Sequence, residues 1–141
     1  MYAADNKGQL PPDLAALMLH SPKTVNRTLF ICPTSTDTPA PGATWQQQAT
    51  TLLAQPGHCS YIYTGAGLTT KTATAKTIIL YEPLANHGKT MNVAYGDGHV
   101  ATLQAAEAAY VITELKAGFN PPRPQPPTPV RSTPAPAISP R

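Results

Sequence analysis

Residues 91–103 read as a β-hairpin, and that hairpin restricts what this chain can fold into more than any other stretch. Met91, Val93 and Tyr95 alternate with Asn92 and Ala94, the period of two that sends one set of side chains to a buried sheet face. Asp97-Gly98 then offers the positive φ of a tight turn, and Val100 and Leu103 resume the apolar pattern. Just upstream, Thr77-Ile-Ile-Leu-Tyr81 is an apolar run without alternation, which predicts a strand covered on both faces.

The remaining elements are shorter. Residues 1–8 read as the end of a helix stopped by Gly8. Pro12-Asp13 followed by Leu14, Leu17 and Met18 predicts a short helix that Pro22 ends. Arg27–Ile31 reads as a strand closed by Pro33, and Cys59–Tyr63 as another. Thr44 caps an expected helix over Trp45–Ala54, with Trp45, Ala49, Leu52 and Leu53 on one side. A last helix is expected over Gln104–Lys116, with Gly118 as its C-terminal stop. The expected fold class is α+β: a small antiparallel sheet of about four strands, with helices on one face.

Proline divides the chain. Of 17 prolines, nine lie in residues 121–141, together with Arg123, Arg131 and Arg141 and no acid. That segment carries +3, the whole formal charge of the chain, so the body is neutral and the basic pI is no sign of a nucleic-acid surface. Residues 1–118 are expected to form one domain. Residues 119–141 are expected to be extended, because proline lacks the N–H that a helix or central strand needs. Low charge content with abundant Thr, Ala and Gln leans towards an extracellular or periplasmic, cell-surface protein.

Two cysteines agree with that compartment. A Cys32–Cys59 bridge would contribute on the order of 3 kcal/mol by the chain-entropy model; the alternative is two buried thiols. Glu82, His87, Asp97 and His99 place two oxygen and two nitrogen donors within a short stretch, a set that suits a transition metal better than calcium. The pattern favours a structural role for them instead. In that role Asp97-Gly98 is a turn, and His87 hydrogen-bonds a backbone carbonyl or Asp97 to pin loop 83–90. No cofactor is expected. Cys59 beside His58 and Ser60 is no catalytic pattern, since neighbouring strand residues face opposite ways, and no enzyme activity is expected.

His87 and Asp97-Gly98, with nine residues between them and His99-Val100 after, resemble the H-X9-DG signature of prepilin-type proteins. Tyr2–Pro11, Phe30-Ile31-Cys32-Pro33, Ser60–Tyr63 and Tyr81-Glu82-Pro83 resemble, in order, other segments of that type IV pilin-like and pseudopilin-like family. The resemblance implies a pseudopilin-like globular head whose sheet buries a long N-terminal helix. It marks His87, Asp97, Gly98 and His99 as motif residues. No apolar run of about 18 residues is present; the longest near the start is Leu14–Leu19. Membrane contact is therefore expected only through such a helix, and without it the head is expected to expose an apolar groove. The implied function is that of a structural subunit, homo-oligomeric in a pilus- or pseudopilus-like filament. The alternative is a cell-surface binding module that uses an aromatic sheet face or the Pro-rich segment.

Overall fold

The computed structural model describes residues 1–127. The protein is an α+β fold built on a four-stranded antiparallel meander. Strands β1 (Ile62–Tyr63), β2 (Ile78–Tyr81), β3 (Thr90–Tyr95) and β4 (Val100–Gln104) lie side by side in chain order. Helices α1 (Tyr2–Asp5), α2 (Leu14–His20) and α3 (Trp45–Ala54) precede the sheet, and α4 (Ala105–Lys116) follows it.

The hairpin forms as its pattern predicts. Thr90 pairs with Gln104 and Ala94 with Val100, and Gly98 takes φ +93° at the turn, where a Cβ would be strained. Between Ile78 and Leu80 the β2–β3 register shifts by one residue. That irregularity puts Ile78 and Tyr81 on the same side as Val93, while Leu80 turns to the other. One side of the sheet, with Ile78, Tyr81, Met91, Val93 and Leu103, packs on Ala108 and Val111 of α4. On the other side Leu80 and Tyr63 meet a second cluster made by α2, α3, Phe30 and Ala40. Helices thus flank both faces rather than one.

Local chemistry accounts for the helix ends. Asp13 caps α2 by accepting from the Ala16 N–H at 2.7 Å. Thr44 and Gln47 form a capping box at the start of α3. On α3 the buried residues are Gln48, Ala49 and Leu52, while Trp45 and Leu53 are exposed. The chain leaves α4 through Gly118 at φ +89°.

The strand expected over Arg27–Ile31 is instead a 3-10 turn, Arg27–Phe30. Asn26 decides this: its side chain accepts the Thr28 N–H at 3.0 Å, and its carbonyl accepts the Leu29 N–H at 3.1 Å. A local side-chain acceptor competes with the sheet ladder. Phe30 still reaches the core, so the apolar pattern had located burial but not conformation.

The Pro-rich segment is anchored where it begins. Asn120 Oδ1 accepts the Ile78 N–H at 2.9 Å, and its Nδ2 donates to the Ile78 carbonyl at 2.7 Å. The amide mimics a neighbouring strand at this end of β2. Arg123 then grips Glu114 with Nε at 2.6 Å and Nη2 at 2.9 Å, its guanidinium 3.7 Å from the centre of the Phe119 ring. The body expected to end at 118 is thus tied to residues 119–124; the expectation for residues 128–141 lies outside the described residues.

The Arg123 hydrogen bonds hold the Glu114 carboxyl below its ordinary value of 4.5. The folded-state pKa is depressed, so the contribution of the pair is full above that value and is lost as pH falls through the folded one. Wild type should therefore melt higher than Glu114→Gln at neutral pH, and the gap should close on acidification. Melting curves across that range test it, and a gap independent of pH rules the bridge out as its source. Met91, fully buried, should cost about 2–5 kcal/mol when changed to Ala, read from denaturant unfolding.

Candidate functional site

Two features stand out: a polar cluster at one end of the sheet and an apolar groove on one of its faces. The cluster is built from Cys32, Glu82 and His87. Glu82 follows β2 directly and is 1% exposed. The Asn92 backbone N–H donates to Glu82 Oε1 at 3.1 Å, and Asn92 Nδ2 donates to the same oxygen. In return the Glu82 N–H donates to the Asn92 carbonyl at 3.2 Å, which continues the β2–β3 ladder by one pair. Asn92 also accepts from Thr102 Oγ1 at 2.7 Å, so β4 supports the carboxylate through β3.

His87 arrives by the 3-10 turn Leu84–Asn86. Its Nε2 lies 3.0 Å from Glu82 Oε1 and 3.4 Å from Cys32 Sγ. Cys32 is 2% exposed and is held in place by its own loop. Ser35 Oγ donates to the Cys32 carbonyl at 2.8 Å and meets Ser60 Oγ at 2.8 Å. Ser60 in turn donates to Asp37 Oδ2 at 2.6 Å. Asn86 Nδ2 donates to the Ser60 carbonyl at 3.2 Å, which ties the His87 turn to the same scaffold. Thr34 Oγ1 lies 3.0 Å from Cys32 Sγ and 3.4 Å from His87 Nδ1.

A thiol, an imidazole and a carboxylate together invite comparison with a nucleophilic triad. In such a relay the nucleophile and the carboxylate engage opposite ring nitrogens. Here both engage Nε2, so the arrangement converges on one point instead of passing a proton across the ring.

The four donors proposed from the sequence separate into two pairs. Glu82 and His87 meet. Glu82 is level with Asn92, whereas Asp97 and His99 sit past the Tyr95 end of β3, roughly 10–16 Å further along at a rise of about 3.3 Å per residue. There Asp97 Oδ1 accepts the His99 N–H at 3.1 Å and faces His99 Nδ1 at 2.6 Å. The His99 ring stacks on Tyr95 at 4.3 Å. The His99 backbone N–H and ring hold the exposed Asp97 carboxyl below its ordinary value. His87 therefore pins its loop through Glu82, not through a backbone carbonyl or Asp97 as expected. Asp97, Gly98 and His99 make the turn.

The two cysteines are free thiols in this structure. Cys32 Sγ turns to His87 and Thr34, while Cys59 Sγ donates to the Tyr61 carbonyl at 3.3 Å. Cys59 instead lines a pocket with Leu52, Leu53 and Tyr63, and burial pushes its thiol up from the ordinary value. The expected bridge is thus replaced by two separate environments. His58 hydrogen-bonds the Thr38 carbonyl at 2.8 Å. The partnership of Cys32 with His87 spans 55 positions, and no spacing in the sequence announces it.

The groove lies on the sheet face opposite α4. Leu14 and Leu17 of α2, Leu29 and Phe30 of the 3-10 turn, and Leu80, Ala94 and Val100 of the sheet enclose about 500 Å³. Val100 is 66% and Leu29 57% exposed. Among the described residues no helix is long and apolar enough to cross a membrane. No family model, no curated protein and no solved structure matches the chain.

Asn92→Leu removes a donor from a buried carboxylate and should destabilise by about 1–3 kcal/mol. His99→Ala, at an exposed turn, should stay within about 0.5 kcal/mol of wild type. Equal losses in urea unfolding of the two variants would show that Glu82 is not the demanding group.

Proposed function

We propose that this chain is a structural subunit of an extracellular or periplasmic, pilus- or pseudopilus-like filament, working by self-association and not by chemistry. The observation that carries the reading is the apolar groove on the sheet face away from α4. Its rim residues Leu29 and Val100 are large, exposed and on neighbouring elements, and a contiguous apolar patch of this kind marks an association surface. The H-X9-DG pattern and the ordered segments around it support the same reading, because the family they resemble buries an apolar helix against its sheet. The groove takes a second copy of the chain in this proposal, through apolar side chains that the isolated subunit leaves in water.

The four-stranded meander suits such a role. The Arg123–Glu114 anchor holds residues 119–124 against α4, and the groove opens on the other face. Assembly through the groove therefore leaves residues 119–124 on the outward face.

Light scattering and electron microscopy of the native protein test the proposal. Wild type should associate in a concentration-dependent way. Leu29→Glu and Val100→Glu should abolish association while leaving the melting temperature nearly unchanged, since both positions are largely exposed. A monomer at every concentration overturns the filament reading and leaves the binding module, with the groove as its ligand site.

A further inference from the structure

We propose that Cys32, Glu82 and His87 form a binding site for a single zinc-like transition-metal ion that clamps the Cys32 loop to the sheet. The proposal is independent of the filament reading and rests on the convergence of three donors from three separate segments. Cys32 Sγ, Glu82 and His87 present ligand atoms that all lie within 4.8 Å of one another. Cys32 follows the 3-10 turn Arg27–Phe30, Glu82 follows β2, and His87 follows the turn Leu84–Asn86.

The distances suit the ion. With zinc bonds of about 2.3 Å to sulfur and 2.0–2.2 Å to nitrogen and oxygen, tetrahedral ligands stand roughly 3.4–3.6 Å apart. Here Sγ to Nε2 is 3.4 Å and Nε2 to Oε1 is 3.0 Å, so the two contacts to the imidazole need to open by only a few tenths of an ångström, and the sulfur and carboxylate lie within 4.8 Å of each other. Both contacts use Nε2, the geometry noted above as wrong for a proton relay. For a metal it is the required one, because a ligating imidazole contributes a single nitrogen.

Charge and donor type agree. On binding the Cys32 thiol would release its proton to solvent; the resulting thiolate with the Glu82 carboxylate and a neutral imidazole would bring −2 to the ion, which a divalent cation cancels. Cys32 and Glu82 are almost wholly buried, and a buried charge is tolerated only when it is compensated. Thiolate with imidazole selects zinc-type ions over calcium or magnesium. Supporting groups are also in place: Asn92 orients the carboxylate, and Thr34 Oγ1 stands 3.4 Å from His87 Nδ1, on the side where a ligating histidine takes its second hydrogen-bond partner. The side chain of His87 is 27% exposed, which leaves solvent access for a water as fourth ligand. The sequence pointed to Glu82 and His87 but also to Asp97 and His99; the fold exchanges the latter two for Cys32.

The test uses the full reduced chain, stripped with a chelator and titrated with Zn²⁺ and separately with Co²⁺. One ion per chain is expected, with a rise in melting temperature. The cobalt form should show a thiolate-to-metal charge-transfer band and visible ligand-field bands of tetrahedral type. Cys32→Ser should lose the charge-transfer band. Asn92→Ala should weaken binding about 10-fold to 100-fold, and Asp97→Asn with His99→Ala should leave it unchanged. Circular dichroism of each variant confirms its fold. The wild-type cobalt spectrum decides the matter even if a variant fails to fold. Absence of stoichiometric binding, a cobalt spectrum without the thiolate band, or an intact mass and peptide map showing a Cys32–Cys59 disulfide in the native protein would each overturn the proposal.

Discussion

The register shift between Ile78 and Leu80 in β2 is the constraint on which the rest of the molecule depends. Without it, Ile78 and Leu80 would share a face and Tyr81 would turn away from Val93. A shift of one residue exchanges every side chain between the two faces of a strand. With the irregularity in place, Ile78 and Tyr81 join the α4 cluster while Leu80 joins the α2–α3 cluster. One four-residue strand thereby serves two cores. Asn120 closes the Ile78 backbone where β1 does not reach, so the segment after α4 also secures this end of the sheet.

Glu82 inherits its position from that register. Tyr81 pairs with Val93, which sets Glu82 beside Asn92 and turns its carboxylate into the protein. A buried carboxylate without partners would be expelled or protonated. Asn92 and His87 satisfy it, and His87 brings Cys32 into the same small volume. The cluster thus follows from one backbone pairing followed by a short turn. Loop 32–37, with little regular structure, is held to the sheet by these polar contacts and by the Ser35–Ser60–Asp37 chain.

The two faces differ in how completely they are covered. α4 lies across one, supported by the Arg123–Glu114 ion pair and the Phe119 ring. The other is covered by α2 only in part, and Leu29 and Val100 stand at the margin of the opening. An uneven covering of this kind leaves a surface whose burial would release water, which is the driving force that association through the groove would use.

Much of the fold was legible in the sequence, and for identifiable reasons. Asp97-Gly98 between alternating apolar runs specified the β3–β4 hairpin, because turn chemistry and side-chain period are local. Thr44 ahead of Trp45, and Pro12-Asp13 ahead of Leu14, marked helix starts for the same reason. Where two local signals competed, the sequence misled: Arg27–Phe30 has a strand-like composition, but Asn26 captures its backbone. The groove was expected only through the resemblance and without its lining residues, and the place of Cys32 in the cluster was not legible, since a contact across 55 positions depends on how the sheet is registered and on which way each loop returns. The sequence by itself determined the α+β class, the hairpin and most helix ends, since these arise between residues a few positions apart. Only the tertiary structure decided that Cys32 meets His87 rather than Cys59, and that Asp97 and His99 stand at the far end of β3. A strand of six residues keeps its ends apart, whatever their spacing in the chain suggests.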